Sequence, residues 1–253
     1  MTRRRFYATP DSFSADKTSA TLNADETRHL RDVLRLTTGD EVCVFNGEGR
    51  EFRCAIVEIK RTSVCLKIAQ EVAPARPESP LDFALAVALL KGEKFDLVVQ
   101  KATELGVTSL VPIVTSRADV KIRSDDDSGR KVSRWQRIAL EATKQCGRAR
   151  LMKIEAPTRF SDLIDQPANS GEGRFMFAER EGVSFQTALQ TLPNRPDKVT
   201  ALIGSEGGFS DEEIAKTRDS DWKIVTLGGR VMRAETAAIA IAALLQHRFG
   251  DLT

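Results

Sequence analysis

Two hundred and fifty-three residues, 41% apolar and 29% charged, suffice for one large or two modest globular domains. The 38 basic and 36 acidic residues leave a net charge of +2, so a nucleic-acid role requires local clustering and not bulk charge. There is no membrane-length apolar run, no apolar stretch behind the basic start Arg3-Arg4-Arg5, and no Cys-x-x-Cys pair among four cysteines, so a cytoplasmic location without membrane or export is expected.

The predicted elements before residue 73 are short and rich in β-formers. The exception is 25–36, where Thr27, Leu30, Val33 and Leu34 predict a short amphipathic helix ending before Gly39-Asp40. Strands follow at 41–45, 51–57 and 63–68, the first two joined by Asn46-Gly47-Glu48-Gly49-Arg50, a turn tolerant of positive φ. A meander of this spacing suggests a small barrel. Cys43, Cys54 and Cys65 recur every eleven residues, but each falls in mid-strand, where a small apolar side chain packs. With His29 and His247 the only histidines, no metal site is expected.

Three prolines in residues 73–80 fix φ and remove amide donors, so neither helix nor interior strand can run through. The predicted organisation is therefore a domain over 1–72, a linker over 73–80 and a second domain over 81–253. After the linker, strands alternate with helices. Strands are predicted at 81–90, 109–114, 151–154, 174–177, 200–203 and 223–227. Helices are predicted at 92–105 (stopped by Gly106), 133–146, 185–192, 210–218 and 235–249, with 125–129 a polar loop. This alternation argues an α/β domain around a mostly parallel sheet.

Ligands of open parallel sheets gather beyond the carboxyl ends of the strands. Three such ends carry polar or glycine-bearing loops: Phe177-Ala178-Glu179-Arg180, Ile203-Gly204-Ser205-Glu206-Gly207-Gly208-Phe209, and Leu227-Gly228-Gly229-Arg230-Val231-Met232-Arg233. Together they form a cup for one small ligand, although a tight strand-to-helix turn accounts equally well for the glycines of the second. Ser210-Asp211-Glu212-Glu213 is a capping box. No Gly-x-Gly-x-x-Gly opens a helix here and no Gly-Lys-Ser/Thr follows, so nicotinamide and nucleoside-triphosphate chemistry lose their support. The alanine-rich helix from Ala234 packs closely in the core or against a second subunit. A salt bridge or a helix-start carboxylate accounts for Arg233 and Glu235 without any function.

The two carboxy-terminal motifs, residues 202–210 and 227–237, resemble those of the RsmE family of 16S ribosomal RNA uracil-N3 methyltransferases, within the SPOUT superfamily. Lys91-Gly92-Glu93-Lys94, the run 100–107, the run 141–148, and His29 with Val33-Leu34-Arg35 and Gly39-Asp40 extend the similarity over nearly the whole chain. Ser205 departs from it, standing where the family usually has proline.

The resemblance implies a SPOUT-type trefoil-knotted, mostly parallel sheet domain preceded by a PUA-like β-barrel. It also implies S-adenosylmethionine as cofactor, a homodimer, and 16S ribosomal RNA or the small ribosomal subunit as partner. By the same comparison Phe177, Ala178, Glu179, Ile203, Gly204, Glu206, Gly207, Leu227, Gly228, Val231 and Met232 would hold the cofactor. Arg233 is the candidate cation for developing negative charge on uracil, with Glu235 as its orienter or as the base. RNA contacts are expected from Arg3, Arg4, Arg5, from Arg28, Arg31 and Arg35 on one helical face, and from Arg148. The last lies in residues 117–153, which carry eleven basic against five acidic side chains. Solvation alone would also explain a charged helix face. Other readings are a ribose 2′-O-methyltransferase of the same superfamily and a non-catalytic RNA-binding assembly factor.

Overall fold

The proline-rich run 73–80 carries no helix or strand, as its fixed φ angles and missing donors dictate. In the computed structural model, which describes residues 3–252, the chain forms two compact units. One comprises the chain through Glu78 together with Thr143–Leu151; the other comprises Ser79–Ala142 and the chain from Met152 onward. The return of Thr143–Leu151 to the first unit departs from the simple division at 73–80. Its cause is polar: Arg5 donates to the carbonyls of Thr143, Lys144 and Arg148, and Lys144 pairs with buried Glu26 at 2.8 Å.

In the first unit, strands β1 (Arg5–Tyr7), β2 (Ser19–Leu22), β3 (Glu41–Phe45), β4 (Glu51–Ile59) and β5 (Val64–Val72) form one sheet, ordered β1-β3-β4-β5-β2. β1 runs parallel to β3 and the other pairs are antiparallel. Register shifts at Arg53/Cys54 and Ile56/Glu58 bend β4 against β5. No described ladder joins β1 to β2, so the expected barrel is an open sheet in its hydrogen bonding. Phe6, Leu22, Leu30, Val44, Ile56 and Leu66 form its core. Cys54 is buried there, and that burial pushes its thiol up to about 12, as suits an inert packing residue.

The helix predicted over 25–36 is shorter and irregular. α1 (Ala24–Arg28) is capped by the Asn23 side chain and then widens into a π-turn over His29–Val33. The Leu34 amide bonds the carbonyl of His29, five residues back. That added residue rotates the next side chains off the apolar stripe: Leu30 is fully buried, whereas Val33 is 66% exposed.

The second unit contains β6 (Asp82–Ala88), α2 (Lys94–Glu104), β7 (Ser109–Val114), most of α3 (Asp125–Cys146), β8 (Lys153–Ile154), β9 (Thr158–Arg159) and α4 (Phe160–Ile164). It continues with β10 (Gly173–Phe177), β11 (Val183–Ser184), α5 (Phe185–Gln190), β12 (Lys198–Ile203), α6 (Asp211–Arg218), β13 (Lys223–Thr226) and α7 (Ala234–Phe249). Its sheet is ordered β11-β13-β10-β12-β6-β7-β8, with β9 beside β7, and every described pairing is parallel. Side chains alternate between two apolar layers: Phe83, Leu85 and Val87 enter one and Ala86 the other, as do Phe175 and Met176 in turn. Burial on both faces explains the unbroken apolar run of β6.

α2 ends at Gly106, whose φ of +76° lets its amide reach the carbonyl of Thr103 while the Val107 amide reaches Ala102. The polar run 125–129, predicted as a loop, is the first turn of α3. Ser124 accepts the amide of Asp127, and three aspartates sit at the positive end of the helix dipole.

Candidate active site

Register brings the loops together. Phe177 of β10 stands opposite Ile203 of β12 on one side and Val225 of β13 on the other, so three neighbouring strands end level. The loops after these strands open from one edge of the sheet and enclose a cavity of about 380 Å³, within the usual span of ligand pockets, about 300–1,000 Å³. Its wall combines Phe177–Arg180, residues 203–209 apart from Gly207, and residues 226–234; Ala237 and Ile241 of α7 and Ile214 of α6 complete it.

All the sequence-predicted cofactor residues except Gly207 line this cavity. Gly207 faces away: a β-carbon there would lie 3.1 Å from both the Cβ and the carbonyl oxygen of Arg117. Its role is to let two backbones approach. The loop is held from the same side by Ser205, whose Oγ donates to the Arg117 carbonyl at 3.2 Å, and by the Gly208 amide, which donates to the Ser205 carbonyl at 2.9 Å. The predicted capping box is present, and Glu213 does double duty in it. One carboxylate oxygen accepts the Ser210 amide at 2.9 Å, the other the Ser116 amide at 2.8 Å.

Residues 227–233 make a sharper reversal. Gly228 and Gly229 have φ of +72° and +71° with open space around them, so the requirement there is conformational. The turn delivers Arg233 to the N-cap of α7 with extended backbone and no side-chain capping bond.

Glu179 and Glu206, and Arg180, Arg230 and Arg233, are the charged residues of the cavity lining. Burial works against ionisation of Glu206, but the Lys94 ammonium at 2.8 Å and nearby backbone amides hold its carboxyl below the ordinary value. Arg180 is engaged by Asp211. Arg230 and Arg233 are exposed and have no ion pair among the described residues.

Glu235 is the residue expected to orient Arg233 or to act as the base. It is buried, lies outside the cavity lining and makes no ion pair with Arg233; its Oε2 is buried without a hydrogen-bond partner. It sits in the first turn of α7, one residue after Ala234 of the lining.

The predicted RNA-contacting arginines divide. Arg5 is internal: its side chain is 6% exposed, pairs with fully buried Glu51 at 3.0 Å and donates to three carbonyls. Arg148 is likewise internal, bound to Glu78 at 2.9 Å. Both guanidinium groups are committed inside the fold, Arg5 to buried Glu51 and Arg148 to partly buried Glu78. Arg3 is half-engaged with Glu51 and the Ala73 carbonyl, and Arg4 is exposed. Arg28, Arg31 and Arg35 are exposed but share no regular helical face, since the π-turn intervenes and Arg35 has φ of +54°. In the basic stretch 117–153, Lys131, Arg134 and Lys144 also pair with acids, while Lys121, Arg123, Arg130, Arg137 and Arg150 stay exposed.

Ala234, Ala237 and Ile241 were not among the expected contacts. They repeat at i, i+3 and i+7, so the periodicity of α7 carries the signal once its first turn is known to meet the loops.

Residues 77–246 match the RNA methyltransferase domain family and residues 22–69 the RNA methyltransferase PUA domain family. Fold and cavity thus define a chain of the α/β RNA methyltransferase class. It is 32% identical over 225 residues to the ribosomal RNA small subunit methyltransferase E of Synechocystis, covering 88% of this chain and 72% of that protein. Among solved structures, a Legionella pneumophila protein with bound cofactor S-adenosylmethionine is 32% identical with a TM-score of 0.87. The Neisseria gonorrhoeae ribosomal RNA small subunit methyltransferase E bound to S-adenosylmethionine is 25% identical with a TM-score of 0.87. Each likeness covers 100% of both chains. The chain belongs to the ribosomal RNA small subunit methyltransferase E family.

Proposed function

We propose that the protein methylates N3 of a specific uracil in 16S ribosomal RNA from S-adenosylmethionine, acting in the cytoplasm as a homodimer. The observation that carries this reading is the convergence of the 177–180, 203–209 and 226–234 segments on one cavity of ligand size. The cavity suits that cofactor chemically. Phe177, Ile203, Leu227 and Met232 offer apolar surface, while Glu179 and Glu206 offer negative charge to a molecule bearing a sulfonium and an ammonium. The bound cofactor would supply an electrophilic methyl carbon, so the protein's chief task is alignment.

Uracil N3 must lose its proton for the new N–C bond to form, leaving negative charge shared with O2 and O4. Arg233 stands at the N-terminus of α7, where the helix dipole adds positive potential to its own. With Glu235 buried, stabilising that anion and releasing the proton to solvent is the route these residues support. Exposed Arg4, Arg28 and Arg35, with Arg3 and Arg31, provide phosphate-neutralising charge on the first unit.

The same reading includes the knot. The chain passes from β12 across β10 to β13, reverses through 227–233, and returns in α7 to pack on β12 and β6; a trefoil threading of the last segment accords with that path. The dimer is supported by α7, which is apolar nearly all round, and by Leu97 and Leu244, 39% and 40% exposed on the packed pair α2 and α7.

The test is to incubate the protein with unmodified small ribosomal subunits and labelled S-adenosylmethionine, then digest the RNA and analyse its nucleosides by mass spectrometry. Formation of 3-methyluridine is expected; 2′-O-methyluridine or no transfer would reject the assignment. Arg233→Ala should lower turnover about 10²-fold, as loss of one oxyanion donor does, with cofactor affinity by calorimetry within about twofold of wild type.

A further inference from the structure

The segment from His29 to Leu36 ends its helix differently from α2. α2 stops with glycine in the left-handed region, at Gly106. The stop after the π-turn has the same logic, with the Leu34 amide on His29 and the Leu36 amide on Leu30 at 3.0 and 3.1 Å, but its left-handed residue is Arg35, at φ +54°. An arginine there is strained where glycine would rest, and local strain kept in a well-packed frame is characteristic of binding sites. The frame here is packed: Leu30 and Leu36 are 0% and 5% exposed, and the His29 ring lies edge-on to Phe6.

On that frame the surface breaks a second rule. Val33 and Leu34 are 66% and 38% exposed, side by side, although the sequence pattern would bury them. Arg28 and Arg35 flank them, and Arg31 is steered by Asp32 and the Arg61 carbonyl at 3.1 Å. Arg35 has no ion pair among the described residues.

We infer that this knuckle, Val33-Leu34-Arg35 on the π-turn, grips an unstacked stretch of single-stranded ribosomal RNA. Val33 and Leu34 take a base face and the Arg35 guanidinium takes a phosphate or stacks on a neighbouring base. Charge selects this occupant: an apolar pair ringed by arginines complements a polyanion with exposed bases. The segment also lies within the part of the chain matching the RNA methyltransferase PUA domain family, residues 22–69. The inference rests on the RNA-methylating reading and adds the place where RNA is held and the reason Arg35 is strained.

Three variants test it, using unmodified small ribosomal subunits and, separately, protein-free unmodified 16S ribosomal RNA as probes. Arg35→Gly relieves the strained backbone, so its Tm should equal or exceed that of wild type, yet its affinity for both probes should fall about tenfold. The slope of log affinity on log salt should drop by about one unit in that variant. Val33→Ser and Leu34→Ser should weaken both probes severalfold with Tm and salt slope unchanged, since neither side chain is in the core nor charged. Retained affinity within twofold in Arg35→Gly would overturn the inference. So would loss of subunit binding with naked RNA binding intact, because that outcome assigns the knuckle to a ribosomal protein. Failure of the wild-type protein to methylate or bind either probe would instead reject the RNA-methylating reading itself.

Discussion

The Glu206 carboxylate in the cavity wall pairs with the Lys94 ammonium, 2.8 Å away at the start of α2. Burial opposes the charge, the ammonium and backbone amides favour it, and the balance leaves the carboxyl below its ordinary 4.5. For a carboxylate with a depressed value in the folded state, the associated stabilisation is complete above 4.5 and lost as pH falls through the lower folded value. If the ionised form attracts the cationic end of the cofactor, affinity follows the same curve. Lys94→Met should therefore move the acid-side loss of cofactor binding to higher pH and weaken binding severalfold at neutrality, the scale of a partly exposed pair, about 1 kcal/mol. Calorimetric titration with S-adenosylmethionine at a series of pH values reads both effects. An unshifted acid limb would mean that Lys94 holds the loop without tuning its charge.

At the scale of elements, legibility in the sequence depends on which patterns are periodic. β6 reads as a doubly buried strand because both its faces meet apolar layers, and α6 is announced by Ser210 and Glu213, whose reciprocal bonds the structure contains. The three loops were readable because they come directly after such strands. The π-turn was not, since a single widened turn leaves no trace in a 3.6-residue pattern until Val33 is seen to face solvent. The internal pairing of Arg5 and Arg148 was not legible for another reason. Neither a run of arginines, as at Arg5, nor a count of charges in a segment, as at Arg148, registers partners 46 and 70 residues away in Glu51 and Glu78. Ser205 shows the converse, a departure from the family pattern that the structure accounts for. Its hydroxyl bond to the Arg117 carbonyl at 3.2 Å fixes the loop by a hydrogen bond where a proline would fix it by its ring. Ser205→Ala removes that bond, about 1 kcal/mol, and should weaken S-adenosylmethionine binding about fivefold in calorimetry while turnover at saturation is kept. Equal affinity in the two proteins would show the bond to be idle.

The whole molecule poses the question of what covers α7. Its sequence, Ala234 through Phe249, alternates alanine with isoleucine and leucine around most of its circumference, which is the composition of a helix surrounded by protein. One side is satisfied within the chain by β6, β12 and α2. Leu244 remains 40% exposed, as does Leu97 at 39% on α2, and the half-buried Ile239, Ala240 and Ala243 extend the apolar surface of α7. Small side chains permit close helix approach, so a second copy seated there would bury apolar area with little polar desolvation, at roughly 25 cal/mol per Å². Because α7 also supplies Ala237 and Ile241 to the cavity, covering its outer face would stiffen the wall that the cofactor meets. Leu97→Glu combined with Leu244→Glu places buried charge at such a contact. The double variant is expected to sediment with the mass of one chain where the parent sediments as two, and to bind S-adenosylmethionine at least tenfold more weakly with its far-ultraviolet circular dichroism unchanged. A parent that sediments as a single chain would end the dimer assignment. A monomeric variant with full cofactor affinity would separate assembly from the integrity of the cavity.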